Sequence, residues 1–250
     1  MEEKVNKAGK VLALCSQKGG VGKTTSCVNL AVGLVKAGKK VLVIDNDPQG
    51  SMTASLGYQN PDELPVTLAT ILARIVEDEP FEDTFGILHH EEGIDLLPAN
   101  IELSGMEVSL VNIMSRERVL EQYIECVREK YDYILIDTAP VGLVSDTLQI
   151  SRIADATVYL CRADYTPKSS FDLINALNHD KKMPKMSIVL NGVDLSKKKY
   201  GYYYGYGKYG KYGKYGKYGS YKGYGSSVYG SYGNYNNSHY GDQNDNSVKR

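Results

Sequence analysis

Short, uniformly apolar runs alternate along residues 1–191 with longer segments in which apolar residues recur every three or four positions. The short runs predict β-strands and the longer segments predict amphipathic helices. In chain order, the predicted strands are 11–15, 41–45, 94–98, 133–137, 156–161 and 186–191, and the predicted helices are 24–36, 68–76, 116–129 and 169–177. This alternation is typical of parallel β-α-β units with helices on both faces of one sheet. We therefore predict an α/β, doubly wound, mostly parallel sheet whose apolar strands are buried on both faces.

The composition changes sharply at Tyr200. Residues 200–250 contain 15 of the 21 tyrosines and 12 of the 25 glycines, and their only aliphatic residues are Val228 and Val248. A segment of this kind cannot build an aliphatic core, and glycine increases the backbone entropy that folding would cost. We predict one compact domain over residues 1–199 and a disordered, low-complexity Tyr/Gly/Lys tail over residues 200–250.

The near-neutral net charge of the chain conceals an uneven distribution. The tail carries seven basic and two acidic residues, a charge of +5, which leaves −6 on the body because the whole chain is −1. An acidic body argues against a broad nucleic-acid footprint. Four scattered cysteines form no Cys-x-x-Cys pair, and the N-terminus lacks an apolar leader. These features predict a cytoplasmic protein with reduced thiols.

The first predicted strand runs into a glycine-rich loop, SQKGGVGKTT at residues 16–25, which opens the first helix. Glycines let a backbone wrap closely enough for its amides to face phosphate oxygens, and a helix N-terminus adds to that attraction. A glycine-rich turn with an incidental lysine is the alternative, but the flanking strand and helix favour a phosphate-binding loop. Lys23 is predicted to reach the β- and γ-phosphates, and the Thr24 hydroxyl to bind Mg²⁺. The residues predicted to bind ATP here are Gly19, Gly20, Val21, Gly22, Lys23, Thr24 and Thr25.

Carboxylates follow two further apolar strands. Asp45 ends the run at 41–45 and Asp47 lies two residues further on, so both are predicted to point to the same side. Residues 47–50, Asp-Pro-Gln-Gly, also suit a simple turn after the strand. Asp137 ends the run at 133–137 and fits the acid that holds Mg²⁺ through water in P-loop enzymes. Three separated segments are therefore predicted to meet at one nucleotide.

Two of these motifs carry a family resemblance. The loop KGGVGKTT, with Lys18 at its entrance, and the segment Asp45-Asn46-Asp47-Pro48-Gln49 resemble ParA-type partition ATPases, and the similarity extends over residues 1–137. The resemblance implies that Lys18 reaches across a nucleotide-sandwich dimer to the partner's phosphates, although a solvated surface lysine is the alternative. It also implies that Asp47 orients the attacking water and that Asp45 supports the magnesium shell.

Beyond residue 137 the resemblance changes. Segments 138–142, 144–146 and 189–193, together with the tail, resemble the C-terminal half of bacterial exopolysaccharide tyrosine kinases, although the nucleotide motifs do not match that family. The chain is thus interpreted as a chimera joined near residue 137, either a natural recombinant or two joined reading frames. Asn191 resembles a residue that lends its amide to the adenine edge, although an Asn-Gly turn is an ordinary feature.

The tail tyrosines have three interpretations. By resemblance they are phosphoacceptors of autophosphorylation, and phosphorylation would reverse the local positive charge. Lysines between aromatics also suit a single-stranded nucleic-acid or condensate-forming segment, and an inert solvated tail is the third. The candidate acceptors are Tyr200, Tyr202, Tyr203, Tyr204, Tyr206, Tyr209, Tyr212, Tyr215 and Tyr218.

The resemblance to partition ATPases implies a Mg²⁺-ATP-hydrolysing protein of the ParA/MinD type. It would act as an ATP-dependent homodimer in plasmid, chromosome or mobile-element partition, with DNA and a regulator protein as partners. The alternative is a protein tyrosine autokinase of capsule or exopolysaccharide export with a membrane-bound activator. A third hypothesis is a protein that holds ATP to dock a partner and scarcely hydrolyses it.

Overall fold

A computed structural model describes residues 8–110, 113, 118–140, 153–194 and 196. The chain divides into two units, Met1–Tyr204 and Gly205–Arg250, and all of the described residues belong to the first. The tail, its nine candidate tyrosines and the segment 141–146 lie outside the described residues. The predicted boundary between domain and tail therefore stays a prediction.

Seven strands in the described ranges form one sheet in the order β3-β4-β2-β5-β1-β6-β7. The pairs β2–β4, β2–β5, β1–β5, β1–β6 and β6–β7 are parallel, and β3 alone runs antiparallel to its neighbour. The strands are β1 (Lys10–Cys15), β2 (Val41–Asn46), β3 (Leu88–His89), β4 (Asp95–Leu97), β5 (Tyr133–Thr138), β6 (Ala156–Arg162) and β7 (Ser187–Asn191). The predicted mostly parallel α/β sheet is confirmed.

The helices of the described ranges flank this sheet. They are α1 (Lys23–Lys36), α2 (Ser51–Ser55), α3 (Leu68–Val76), α4 (Glu102–Leu110), α5 (Val119–Val127) and α6 (Ser170–His179), with short 3₁₀ turns at Pro61–Glu63 and Arg128–Lys130. Thr67 starts α3 with a capping box, in which its backbone N–H donates to the Thr70 hydroxyl. None of these helices combines the length and the apolar character that a membrane crossing requires.

The core forms two apolar layers, one on each face of the sheet. On β2, Leu42 and Ile44 face the layer that contains α3, α5 and α6, whereas Val41 and Val43 face the layer that contains α1 and α2. Successive side chains of a strand point to opposite faces, so a strand buried on both sides must be apolar at every position. This is why the inner strands read as unbroken apolar runs.

β7 departs from this pattern. All five of its residues are exposed, including Ile188, Val189 and Leu190 at 48%, 43% and 39%. The strand lies at the edge of the sheet, and within the described residues it pairs with β6 alone. The expectation that every apolar strand is buried on both faces is therefore wrong for β7.

The direction of the strands positions the predicted site. Six parallel strands, β1, β2, β4, β5, β6 and β7, end at the same edge of the sheet, so the residues that follow them are brought together. Ligands of open α/β sheets bind at this carboxyl edge, where neighbouring connections leave in different directions. The predicted loop and both acidic segments all lie there.

Candidate nucleotide-binding site

The glycine-rich loop leaves β1 at Cys15 and enters α1 at Lys23. Gly20 and Gly22 have φ angles of 72° and 96°, a left-handed conformation that residues with a Cβ rarely adopt. A Cβ on Gly22 would also lie 2.4 Å from Nδ2 of Asn191. Glycine is therefore required at position 22 both by the backbone conformation and by the close neighbour.

Lys23 and Thr24, the first residues of α1, lie beside Asp137, the next-to-last residue of β5. The Lys23 side chain is mostly buried, with 8% of the residue exposed, whereas Thr25 faces solvent. The Thr24 hydroxyl donates a 2.5 Å hydrogen bond to Oδ2 of Asp137. The other carboxylate oxygen, Oδ1, is buried and has no hydrogen-bond partner in the described structure. The fold thus joins two predicted site residues that lie 113 positions apart in sequence.

The surroundings of Asp137 leave its charge only partly compensated. Burial raises the pKa of Asp137 to about 6, although the Thr24 hydrogen bond and the charge of Lys23 act in the opposite direction. A buried carboxylate with a free oxygen is suited to a hard cation such as Mg²⁺, which prefers oxygen ligands. Within the described residues no three His, Cys, Asp or Glu side chains gather as a metal site. The donor set fits Mg²⁺ held by one or two protein oxygens together with phosphate and water oxygens.

Asp45 lies opposite Asp137 in the register of β2 and β5 and is fully buried. Its Oδ2 accepts hydrogen bonds from the backbone N–H and the hydroxyl of Thr53, at 2.8 and 2.7 Å. Its Oδ1 accepts a longer one, 3.4 Å, from the N–H of Asp47. Asp45 therefore anchors α2 and the turn after β2, and its predicted part in the magnesium shell stays a prediction.

Asp45 should make the stability of the nucleotide-free protein depend on pH. Burial raises its pKa to about 7 from an ordinary 3.8, so between these values the folded protein holds a proton that the unfolded chain releases. The free energy of unfolding should therefore fall as the pH rises from about 4 to 7, by about 1 kcal/mol per pH unit from this group. Asp45→Asn should remove that part of the slope in urea titrations at several pH values. The exposed Asp172→Asn serves as the control, and equal slopes in Asp45→Asn and wild type would contradict the prediction.

The other two predicted catalytic residues lie nearer to solvent. Asp47 is half-buried, its Oδ1 accepts the N–H of Gln49 at 3.0 Å, and its charge acts on Asp137. Lys18 is exposed, and its carbonyl accepts a hydrogen bond from the Ser16 hydroxyl. The structure places both at the rim of the site, and their catalytic roles stay predictions.

Three side chains from the ends of β6 and β7 contact the loop. The Asn191 amide donates to the carbonyl of Val21 at 2.9 Å, so the predicted adenine contact lies against the phosphate loop. Arg162 and Tyr165 also hydrogen-bond to the loop, and sequence reasoning did not single them out. The one signal in the sequence was their position, directly after the apolar run at 156–161.

The glycine-rich loop between a central strand and a helix, followed by an acid at the end of the neighbouring parallel strand, defines a P-loop NTPase fold. A family model described as an AAA domain matches residues 9–182. The sporulation initiation inhibitor protein Soj of Bacillus subtilis (strain 168) is 35% identical over 192 residues, which are 75% of this chain and 72% of that protein. The chain therefore belongs to the AAA-domain family of ParA/Soj-type P-loop ATPases.

Two solved structures have a fold similar to that of this chain. Cobyrinic acid a,c-diamide synthase from Mycobacterium smegmatis, with a bound ATP analog and magnesium, has a TM-score of 0.63 and 31% identity and covers 72% of each chain. A plasmid partition protein from Borrelia burgdorferi has a TM-score of 0.60 and 28% identity, over 74% of this chain and 79% of that chain. Both share the fold of the described residues.

The extent of the matches bears on the predicted join. The family match crosses residue 137 and continues to residue 182, so the comparisons give no support to a change of family at 137 or to a kinase-like second half. Two Mycobacterium tuberculosis proteins, 43% identical over 139 residues, match over only 42% of their own length. The activity and partners of the whole protein are therefore matters for proposal.

Proposed function

We propose that this protein is a Mg²⁺-dependent ATPase of the ParA/MinD type that acts as a nucleotide-switched dimer in DNA partition. The contact between Thr24 and Asp137 carries the proposal, because it joins the loop hydroxyl to the buried acid with a free oxygen. A glycine-rich turn that binds no nucleotide would not require a buried lysine beside Thr24 and Asp137. Matches to proteins named Soj and ParA support the partition role.

Each residue of the site has a proposed task. Lys23, mostly buried at the start of α1, places its ammonium group against the β- and γ-phosphates. The backbone amides of the loop bind phosphate oxygens, and the helix N-terminus favours their negative charge. When bound, Mg²⁺ would be held by the Thr24 hydroxyl and by Asp137 through water, and would neutralise charge on the phosphates. Asp47 orients the water that attacks the γ-phosphorus, and the ADP oxygen leaves.

Because Lys18 is exposed, it is available to the nucleotide of a second copy of the chain in a dimer. A cation supplied by a second copy stabilises the charge that develops on the γ-phosphate during transfer, and makes hydrolysis depend on the dimer. The body carries a net charge of −6, so we assign DNA contact to the lysines of residues 200–250, with a regulator protein as a second partner. The alternative is a tyrosine autokinase stimulated by a membrane-bound activator, whose product would be phosphotyrosine.

The product of the reaction tests the proposal against its alternatives. With Mg²⁺-ATP, the full-length protein should release inorganic phosphate, because the loop and both acidic strands that carry the chemistry lie upstream of the tail. A variant with the nine candidate tyrosines replaced by phenylalanine should release phosphate at the same rate. Phosphate is measured colorimetrically and phosphotyrosine by mass spectrometry.

Two other results of these measurements would each indicate a different function. Phosphotyrosine within residues 200–218, without free phosphate, would show that a tail hydroxyl replaces water and that the protein is an autokinase. ATP binding with neither product would leave a nucleotide-dependent docking protein. Either result would overturn the proposed ATPase.

A further inference from the structure

The phosphate-binding loop is held from its outer side by three side chains. The carbonyl groups of residues 19–21 each accept one hydrogen bond, in chain order from the Tyr165 hydroxyl at 3.3 Å, the Arg162 guanidinium at 3.0 Å and the Asn191 amide at 2.9 Å. We call these three residues the loop clamp. They come from the ends of β6 and β7, which belong to the last third of the described chain.

Contacts to the carbonyls have a direct consequence for the amides of the loop. A trans peptide unit is planar, so a carbonyl that points one way forces the next N–H to point the opposite way. Fixing the carbonyls of residues 19–21 thus turns the N–H groups of residues 20–22 away from the clamp. Among the described residues, no carbonyl or side chain accepts from these three amides. The loop therefore has engaged acceptors on one side and free donors on the other.

Local contacts fix the two clamp residues on the β6 side. The Arg162 N–H donates to the hydroxyl of Thr166 at 2.8 Å, and the Thr166 N–H donates back to the Arg162 carbonyl at 2.9 Å. This closed turn carries Tyr165, whose ring centre lies 5.5 Å from the guanidinium carbon of Arg162. A guanidinium beside an aromatic ring is attracted by it, so the pair holds its shape.

The orientation of the Asn191 amide is also determined. The N–H of Gly192 donates to its Oδ1 at 2.8 Å, which leaves Nδ2 to face the carbonyl of Val21. A reversed amide would place an oxygen against that carbonyl and an NH₂ group against the N–H. The same amide lies so close to Gly22 that a Cβ at this position would collide with Nδ2, so the contact also requires glycine there.

We propose that Arg162, Tyr165 and Asn191 are positioning residues that preorganise the loop amides for phosphate. This inference rests on the proposed nucleotide binding and extends it, since it assigns the three residues to the loop backbone and not to the base. Amides fixed in advance bind an anion without the cost of ordering the loop at the moment of binding. The clamp therefore acts on every ligand that carries a diphosphate group, with or without adenine.

Pyrophosphate separates this role from a contact with the base. In full-length protein, Tyr165→Phe and Asn191→Ala should each weaken both Mg²⁺-ADP and Mg²⁺-pyrophosphate, by the same factor of about threefold to tenfold, the loss expected for one hydrogen bond. Binding is measured by calorimetry or by displacement of a fluorescent nucleotide. Tyr58→Phe and the exposed Asn175→Ala on α6 are matched controls, and both should bind as wild type does.

The outcomes are distinct. If Asn191→Ala lost affinity for ADP but kept it for pyrophosphate, Asn191 would serve the adenine base and the clamp would be refuted. Unchanged affinity for both ligands in both variants would also refute it, while leaving the proposed ATPase intact. If wild-type protein bound neither ligand, the proposed function itself would fail. A merely structural role would lower the melting temperature of the nucleotide-free variants but leave the affinity of the folded protein for both ligands unchanged, whereas the clamp requires the affinity to fall.

Discussion

Lys23→Ala should lower the affinity for Mg²⁺-ATP by roughly a hundredfold or more while the protein remains folded. Hydrogen bonds to charged groups contribute about 1.5 to 3 kcal/mol each, and a buried ammonium group contacting two phosphates makes more than one. The loss has a second source, since Lys23 lowers the pKa of Asp137 in the intact site. Without that positive charge, Asp137 holds its proton to higher pH and becomes a poorer partner for Mg²⁺.

The same helix provides the control for this variant. Lys36 lies exposed in the last turn of α1, so Lys36→Ala removes an equal charge far from the loop and should leave ATP affinity unchanged. Calorimetry measures the affinity, and circular dichroism reports the fold. If Lys23→Ala bound Mg²⁺-ATP as tightly as wild type, the assignment of residues 16–25 to phosphate would be wrong.

The sequence predicts the inner architecture well because burial on both faces forces an unbroken apolar run on each inner strand. Each predicted strand and helix is present within about three residues, and α3 has the predicted bounds. The missed elements are short or weakly patterned. Strand β3 has two residues, α2 has five, and α4 contains Gly105 and buries only Leu103. Such segments owe their conformation to the neighbours that they meet, which local periodicity does not contain.

The residues of the candidate site likewise include some that the sequence predicts and some that it does not. Lys23 and Thr24 could be predicted because loop, strand and helix are contiguous, and Asp137 because it ends an apolar strand. Arg162 and Tyr165 could not be predicted, because their contacts with the loop depend on β6 pairing beside β1, with Cys15 opposite Tyr159. No residue within the loop reveals which later strand will be its neighbour. That information lies in the packing of the whole sheet.

Asp47→Ala should stop hydrolysis without releasing the nucleotide. The carboxylate lies half-buried at the rim, and among the described residues its hydrogen bond comes from the turn after β2, so its proposed role is to orient water and not to hold phosphate. Losing a group that positions or activates the attacking water lowers turnover by about 10² to 10⁴-fold. Affinity for Mg²⁺-ATP should stay within about threefold of wild type, because no hydrogen bond to the phosphates is lost.

Asp47→Asn separates this role from a structural one. An asparagine keeps the side-chain oxygen that accepts the N–H of Gln49, so the turn is preserved while the charge is lost. If Asp47→Asn hydrolysed ATP as wild type does, Asp47 would only cap the turn. The water-orienting role requires both variants to be inactive.

An Asp47→Ala protein that holds ATP without hydrolysing it should also accumulate as a dimer if Lys18 acts across the interface. Light scattering with Mg²⁺-ATP should then report twice the monomer mass for Asp47→Ala, and the monomer mass when Lys18→Ala is added. The added change removes only an exposed side chain, so it should not affect the fold. Monomeric Asp47→Ala in saturating ATP, together with normal hydrolysis by Lys18→Ala alone, would exclude a cation supplied by the second copy. Catalysis would then be complete within one chain, and the exposed lysine at the loop entrance would be a solvated residue.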